Sequence, residues 1–355
     1  MGLFGFGKKP GLGIDISAEA VRGVEIMPTD NSYSIEHVAE VTLAKQIMDG
    51  DEIVDIDKLG KMIAQLRKRM GHARVAVAAI SGNQAMQRII AMDIELDDEA
   101  IGEKIESDPD LLSVDTAIDH VYDYESLGEH PSLPGQQRVM LMAARASSVS
   151  TRSQAIEAGG YKVAVMDVDN HAVARTCNHV LPHLYPDVAA SNLPYVVVDI
   201  AVSAMQLVVV VDGEVVSNRF QAGGLQPLLN ALTEGDYNKH GEVLAKLRSG
   251  EHEQYPDYIL DDMLNDLGSQ VSRGIQMYQS NAVERGFAAL FLINTGAMIP
   301  VLQDMIAAQV SFPVHVLNPF EHFPLPDKLS HLHAHGPRFV EALGLALRSY
   351  APWHI

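Results

Sequence analysis

Three groups of side chains have types and spacings that chemistry could use. His331, His333 and His335 alternate, with His315 and His322 close by. In an extended segment, alternation would put three imidazoles on one side, which suits a metal ion. No cysteine or carboxylate set at ligand spacing accompanies them. Pro324, Pro326 and Pro337 bracket the run. It therefore reads as a solvated surface loop, and no metal is assigned. Asp167 and Asp169 have the spacing of a catalytic carboxylate pair. At a strand-to-helix junction they read instead as caps of the following helix. Cys177 is the single cysteine, and no sequence pattern supplies it with a base. It reads as a buried structural thiol, and no catalytic residue is assigned.

The elements that would position such groups show an internal echo. Leu12 to Ile16 reads as a short buried strand, with Asp15 near its end. A small-residue turn, Ser17 to Ala20, leads to a second strand, Val21 to Met27. Turn residues Asp30 to Ser32 precede a third strand, Ser34 to Ala44. Tyr195 to Ile200 repeats the first strand, with Asp199 in the place of Asp15. The turn Ala201 to Ala204 follows, then Met205 to Val211, an Asp212-Gly213 hairpin, and Glu214 to Phe220. Amphipathic helices follow in each half, over Asp57 to Met70 and Asp261 to Ser280. Strand-then-helix units close each half: Lys162 to Asp167 with Asn170 to Val180, and Ala288 to Ile293 with Ile299 to Ala308. The pattern predicts an α/β chain with two related halves.

The division follows from where the echo is interrupted. Residues 1–83 and 161–193 form the first core half, interrupted by an inserted subdomain over 84–160. Residues 194–226 and 287–355 form the second, interrupted by a helical subdomain over 227–286. Within the first insert, the acidic stretch Glu95 to Glu106 reads as a solvated helix face. Arg138 to Ala144 reads as a strand whose methionines serve either the core or an adaptable surface.

Composition narrows the function. The 355 residues are 47% hydrophobic and 20% charged, as in a globular protein. A net charge of −20 repels polyanions and argues against nucleic acid as a partner. One cysteine fits a reducing compartment. No run of about 18 apolar residues is present to span a bilayer. The leader Met1 to Lys9 is apolar and then basic, and reads as a floppy tail able to brush an anionic membrane.

A duplicated strand-turn-strand with an aspartate before each turn resembles the actin and sugar-kinase superfamily. More specifically, Leu12-Gly13-Ile14-Asp15-Ile16-Ser17 is similar to the opening of the PilM family. The same family is resembled, in order, by Val165 to Asp169, Gln221-Ala222-Gly223-Gly224, Val271 to Gln276, Ile299 to Leu302, His315 to Phe320 and Glu341 to Arg348. The resemblance covers essentially the whole chain. It implies an actin-like, two-lobed fold of the FtsA kind with a duplicated core and two inserted subdomains. It also implies a cytoplasmic protein, peripheral at the inner membrane through its partners, in the alignment complex of a type IV pilus. The expected partner is the N-terminal cytoplasmic segment of PilN. Pilus assembly ATPases and a second copy of the chain are further partners to consider.

In the superfamily the two turns hold ATP phosphates through backbone N–H groups, and each aspartate positions Mg²⁺. Carried over by resemblance, the nucleotide positions are Asp15, Ser17, Arg22, Asp199, Ala201, Gly223, Gly224 and Gly296. The chain departs from the pattern at several of them. Ser17 and Ala201 replace glycines, and Glu19 adds a carboxylate near the phosphates. Met205 replaces a threonine, and Gln270 a glutamate. Asn294-Thr295-Gly296 stands where a glycine pair is usual. Side chains in both turns and an added negative charge predict weak or lost ATP binding and a docking platform, not an enzyme. The alternative is a nucleotide-driven ATPase or small-molecule kinase of the same superfamily.

Overall fold

The computed structural model describes residues 9–44, 46–111, 118–251, 253, 255–282 and 286–351. All but the last residue of the leader lies outside the described residues. The first lobe opens with an antiparallel meander of β1 (Gly11–Ile16), β2 (Ala20–Pro28) and β3 (Tyr33–Thr42). A small hairpin, β4 (Met48–Asp49) with β5 (Glu52–Ile53), precedes α1 (Ile56–Arg67) and β6 (Val75–Ile80). Asp55 caps α1 by accepting from the Lys58 N–H, and Leu59, Ile63 and Leu66 face the core.

The chain then leaves this sheet. β7 (Ala85–Asp93), α2 (Asp98–Ser107), β8 (His120–Glu129) and β9 (Gln136–Arg145) form a separate unit, a three-stranded sheet with β9 at its centre. Its core is small: Ile101 and Ile105 of α2 pack on Val139 and Leu141 of β9. The methionine-bearing strand is thus the middle of a sheet. α3 (Ala146–Ala158) returns to pack on α1, and Gly60 lets the two helices approach, since a Cβ there would sit 2.8 Å from that of Ala158. β10 (Lys162–Val168), α4 (Asp169–Leu184) and the short α5 (Pro186–Ala189) complete the lobe.

The second lobe repeats the plan. β11 (Tyr195–Ile200), β12 (Ala204–Val211) and β13 (Glu214–Ala222) form its meander. Asp212 and Gly213 take φ of +50° and +82°, as a two-residue hairpin between twisted strands requires. Three helices follow: α6 (Gln226–Thr233), α7 (His240–Ser249) and α8 (Asp257–Asn281). Then come β14 (Leu290–Ile293), α9 (Asn294–Ala297), α10 (Pro300–Ala307), β15 (Val314–Val316), a 3₁₀ run over Asp327–Phe339, and α11 (Val340–Arg348).

The two five-stranded sheets have the same order, β3-β2-β1-β6-β10 and β13-β12-β11-β14-β15. In each, the meander is antiparallel and the last two strands run parallel to the first. This duplication, with helices on both sheet faces, is the actin-like α/β architecture. α4 and α11 lie between the sheets in a shared core that includes Val24, Val173, Cys177, Val197, Phe291 and Leu343. The outer face of the first sheet packs on α1 and α3, and that of the second on α6, α7, α8 and α10. Among the described residues, no helix is long and apolar enough to cross a membrane.

The histidine run corrects the expectation of an extended loop. His331, His333 and His335 lie within the 3₁₀ run, at about three residues per turn, so alternation does not align them. The Asn318 amide donates to the His333 carbonyl and holds the run in place.

Candidate functional site

The ends of β1 and β11 meet in the cleft between the lobes, and strand register decides what they carry. Asp15 lies opposite Arg22 across β1 and β2, and Arg22 lies opposite Glu40 across β2 and β3. Three consecutive cross-strand positions therefore hold acid, base and acid on one face. Arg22 has no exposure at all. Its guanidinium reaches Asp15 at 3.0 Å, Glu40 at 2.8 Å and Glu19 at 3.3 Å. Arg338 pairs with the same Glu40 oxygen at 2.8 Å. Burial alone would weaken the Arg22 charge, but Asp15, Glu19 and Glu40 outweigh it and hold the proton more tightly. Burial likewise opposes ionisation of Glu40, and Arg22 and Arg338 overcome it, lowering that carboxyl below its usual range.

Each turn after an aspartate is closed by its own bonds. The Ser17 N–H donates to the Ala20 carbonyl at 3.0 Å, and the Ser17 hydroxyl to the same oxygen at 3.1 Å. The serine that replaces a glycine thus folds back into its turn. In the second turn, the Ala201 N–H donates to the Ala204 carbonyl at 3.0 Å, and the Ala201 carbonyl accepts from Leu225 at 3.0 Å. Gly223 and Gly224 pack onto this turn with φ of +111° and +46°. A Cβ on Gly224 would overlap the Ala201 carbonyl oxygen, so glycine is required there. Gly296 lies against Ile200, whose Cβ would be 2.5 Å from an added Cβ. Asn294 takes φ +66°, a conformation asparagine tolerates, and its side chain accepts from the Thr295 N–H at 2.9 Å. Met205 is buried in the second-lobe core, and Gln270 bonds Asp266 on the exposed side of α8.

Between the turns is a cavity of about 60 Å³, lined by Asp15, Ser17, Asp169, Asp199, Ala201 and Glu341 among others. That is room for a few waters, while on the other side of Glu19 a pocket of about 450 Å³, lined by Glu40, Tyr237, Arg248 and Arg338, falls within the roughly 300–1,000 Å³ of drug-sized ligand pockets. Burial pushes Asp199 up to about 7, against the hydrogen bond from Asn294, with Asp15 and Asp169 adding to the rise. Burial also lifts Asp169 to about 6 and raises Glu341 well above its usual range, the latter with the charges of Asp15, Asp169 and Asp199. The site is a crowded cluster of carboxyl groups driven toward their protonated forms, and any that stay ionised would repel an arriving triphosphate unless a cation came with it.

Asp167 and Asp169 are not helix caps. Val168 occupies the cap position of α4 with no side-chain bond. Asp167 pairs with Arg175 at 2.8 Å. Asp169 accepts from the Gly82 N–H at 2.9 Å and from the Gln206 amide of the other lobe at 3.1 Å. Cys177 is fully buried, and burial pushes its thiol up to about 12.

Three residues of the cluster carried no signal in local sequence. Arg152 of α3 donates to the Ile16 carbonyl at 3.0 Å and so holds the end of β1. Gln206 reaches the cleft only because β12 pairs with β11. Arg338 arrives from the 3₁₀ run. Glu341 was detectable only as the first residue of the Glu-Ala-Leu-Gly landmark.

The structure is similar to a chain titled as a PilM-PilN type IV pilus biogenesis complex, at 20% identity and a TM-score of 0.78, covering 97% of this chain and 100% of that one. It is also similar to the ethanolamine utilization protein EutJ from Carboxydothermus hydrogenoformans, at 11% identity and a TM-score of 0.57, covering 96% of this chain and 89% of that one. At these identities the likeness concerns the fold. The family model for the type IV pilus assembly protein PilM matches residues 13–350. The chain therefore belongs to the PilM family of type IV pilus assembly proteins.

Proposed function

We propose that the protein is a non-catalytic scaffold at the cytoplasmic face of the inner membrane, where it holds the N-terminal cytoplasmic segment of PilN within the pilus alignment complex. The observation that carries this reading is the likeness, over the full length of both chains, to a structure titled as a PilM-PilN complex. Attachment to the membrane then comes from the partner. The small cavity and the self-closed turns support the second part of the reading, that Mg²⁺-ATP binds weakly or not at all. Were a nucleotide held, Asp15 and Asp199 would position its metal and the Gly224 loop would stand beside the second turn.

The test is isothermal titration of the purified protein with a synthetic PilN N-terminal peptide, and separately with Mg²⁺-ATP. The reading expects heat from the peptide and none from ATP. A silent peptide titration would remove the PilN assignment. Micromolar ATP binding would restore the competing view, a nucleotide-driven ATPase or small-molecule kinase.

A further inference from the structure

Glu19 sits in the turn between β1 and β2, yet its side chain belongs to both lobes. One carboxylate oxygen lies 3.3 Å from Arg22 Nη2 on the first lobe. The Thr295 hydroxyl, 276 positions away in the short α9 after β14, shares its proton between that oxygen at 3.1 Å and the other at 3.3 Å. Thr295 has no exposure, and the Glu19 side chain has only 15%. The Glu19 main chain is fixed as well, since its carbonyl accepts from the Leu43 N–H at 2.8 Å. An acid of a strongly acidic protein is expected to turn to solvent. This one is drawn inward, bonded on two sides.

A guanidinium and a hydroxyl aimed at one point in a cleft sheltered from water make an anion site. Here the anion comes from the chain itself. We infer that Glu19 is a built-in occupant of that site, bridging Arg22 and Thr295 so that the lobes stay closed without nucleotide. The inference rests on the reading of the cleft as a degenerate nucleotide site. A tethered carboxylate acts at a high effective concentration, so an external phosphate must displace it before gaining the same donors. Asp15 and Glu40 stay on Arg22 in either case, so what an incoming phosphate gains is the share of the guanidinium and the Thr295 hydroxyl that Glu19 had held. Glu19 thus sets what the cleft refuses and replaces the bridge a nucleotide would have made.

The test uses the full chain. Glu19→Ala removes the occupant and leaves both donors. Inorganic pyrophosphate and Mg²⁺-ATP are titrated into wild type and variant by calorimetry. The expected result is pyrophosphate binding at least about tenfold tighter in the variant. Equal affinities, or no binding to Glu19→Ala, would overturn the inference while leaving a silent wild type still consistent with a decayed site. Tight ATP binding to wild type would sink both. Because Glu19→Ala takes one of three carboxylates from a buried guanidinium at a cost in stability, Thr295→Val supplies a second measurement. It keeps the side-chain shape and deletes the bridge. Amide hydrogen exchange over residues 294–297 is expected to speed up at least about tenfold, and unchanged exchange there would refute the bridge.

Discussion

Replacing Arg22 by Met removes a cation that Asp15, Glu19 and Glu40 of the first lobe share. The side chain is completely buried, and its partners lie at 3.0, 3.3 and 2.8 Å. Breaking a buried pair from one side leaves uncompensated charge and typically costs about 3–5 kcal/mol. Arg338 still faces Glu40, and Thr295 still donates to Glu19, so the loss belongs at the lower end, about 3 kcal/mol. With an unfolding entropy of about 2.1 cal/mol/K per residue, the 355 residues around one shared core give about 0.75 kcal/mol/K, so 3 kcal/mol predicts a Tm drop of roughly 4 °C at pH 7. The pH dependence gives a second handle. Glu40 is held below its usual range by the arginines, so its contribution is present above the unfolded value and lost as pH falls through the folded one. Burial already raises Asp15 despite Arg22; without Arg22 it rises further and Glu40 keeps only Arg338, so the variant gains more stability than the wild type as pH falls. The gap between wild type and variant should therefore narrow between pH 7 and about pH 4. Calorimetric melts at several pH values measure it. A gap below about 1 kcal/mol at pH 7, or one that does not change with pH, would refute the argument.

Gly13→Ala should destabilise by about 3 kcal/mol, the upper end for overpacking, because its Cβ would overlap the backbone of α11 at Ala342 and Ala346. Gly241→Ala on α7, where a Cβ meets nothing within 4 Å, should instead raise stability by up to about 1 kcal/mol; urea unfolding compares the two. Asp169 is raised to about 6, so the folded state binds a proton that the unfolded state releases near pH 4. Stability is then gained as pH falls from above 6 toward 4, and Asp169→Asn should flatten that dependence, by about 3 kcal/mol. Cys177 should resist thiol reagents at pH 8 in the native protein and react once urea unfolds it, because the native thiol is both buried and pushed up to about 12.

Sequence alone revealed the frame through features that repeat. Asp15 and Asp199, each with a small turn and a following strand, give the two meanders almost to the residue, and periodicity placed α1 and α8. What escaped was weakly marked or distant. β6 is Val-Ala-Val-Ala-Ala-Ile, too short and too rich in alanine to stand out, although it is an interior strand of the first sheet, between β1 and β10. α3 has little amphipathic character, so Arg152 could not be placed beneath β1. Glu19 was read as a charge that repels phosphate. Its bond to Thr295 spans 276 positions, and no local pattern carries such information. Asp167 and Asp169 were read as caps because a junction favours that role, but buried basic and amide partners claimed them first. The histidines alternate in sequence, and only the local backbone decides whether alternation means alignment.

β1 and α11 touch along their whole lengths, Gly11 and Gly13 receiving the helix backbone. Tyr350 just beyond α11 bonds the carbonyl of Lys9, 341 positions earlier. On the ribosome, the strand must wait for a helix made about 340 residues later. Until then Gly11, Gly13 and the part of the inner face that α4 does not reach have no cover, and the first lobe cannot complete its core by itself. Such sequence-distant pairing slows folding and lengthens exposure of apolar surface. Holding chaperones, rather than step-by-step folding of the lobes during translation, are the expected companions of the growing chain.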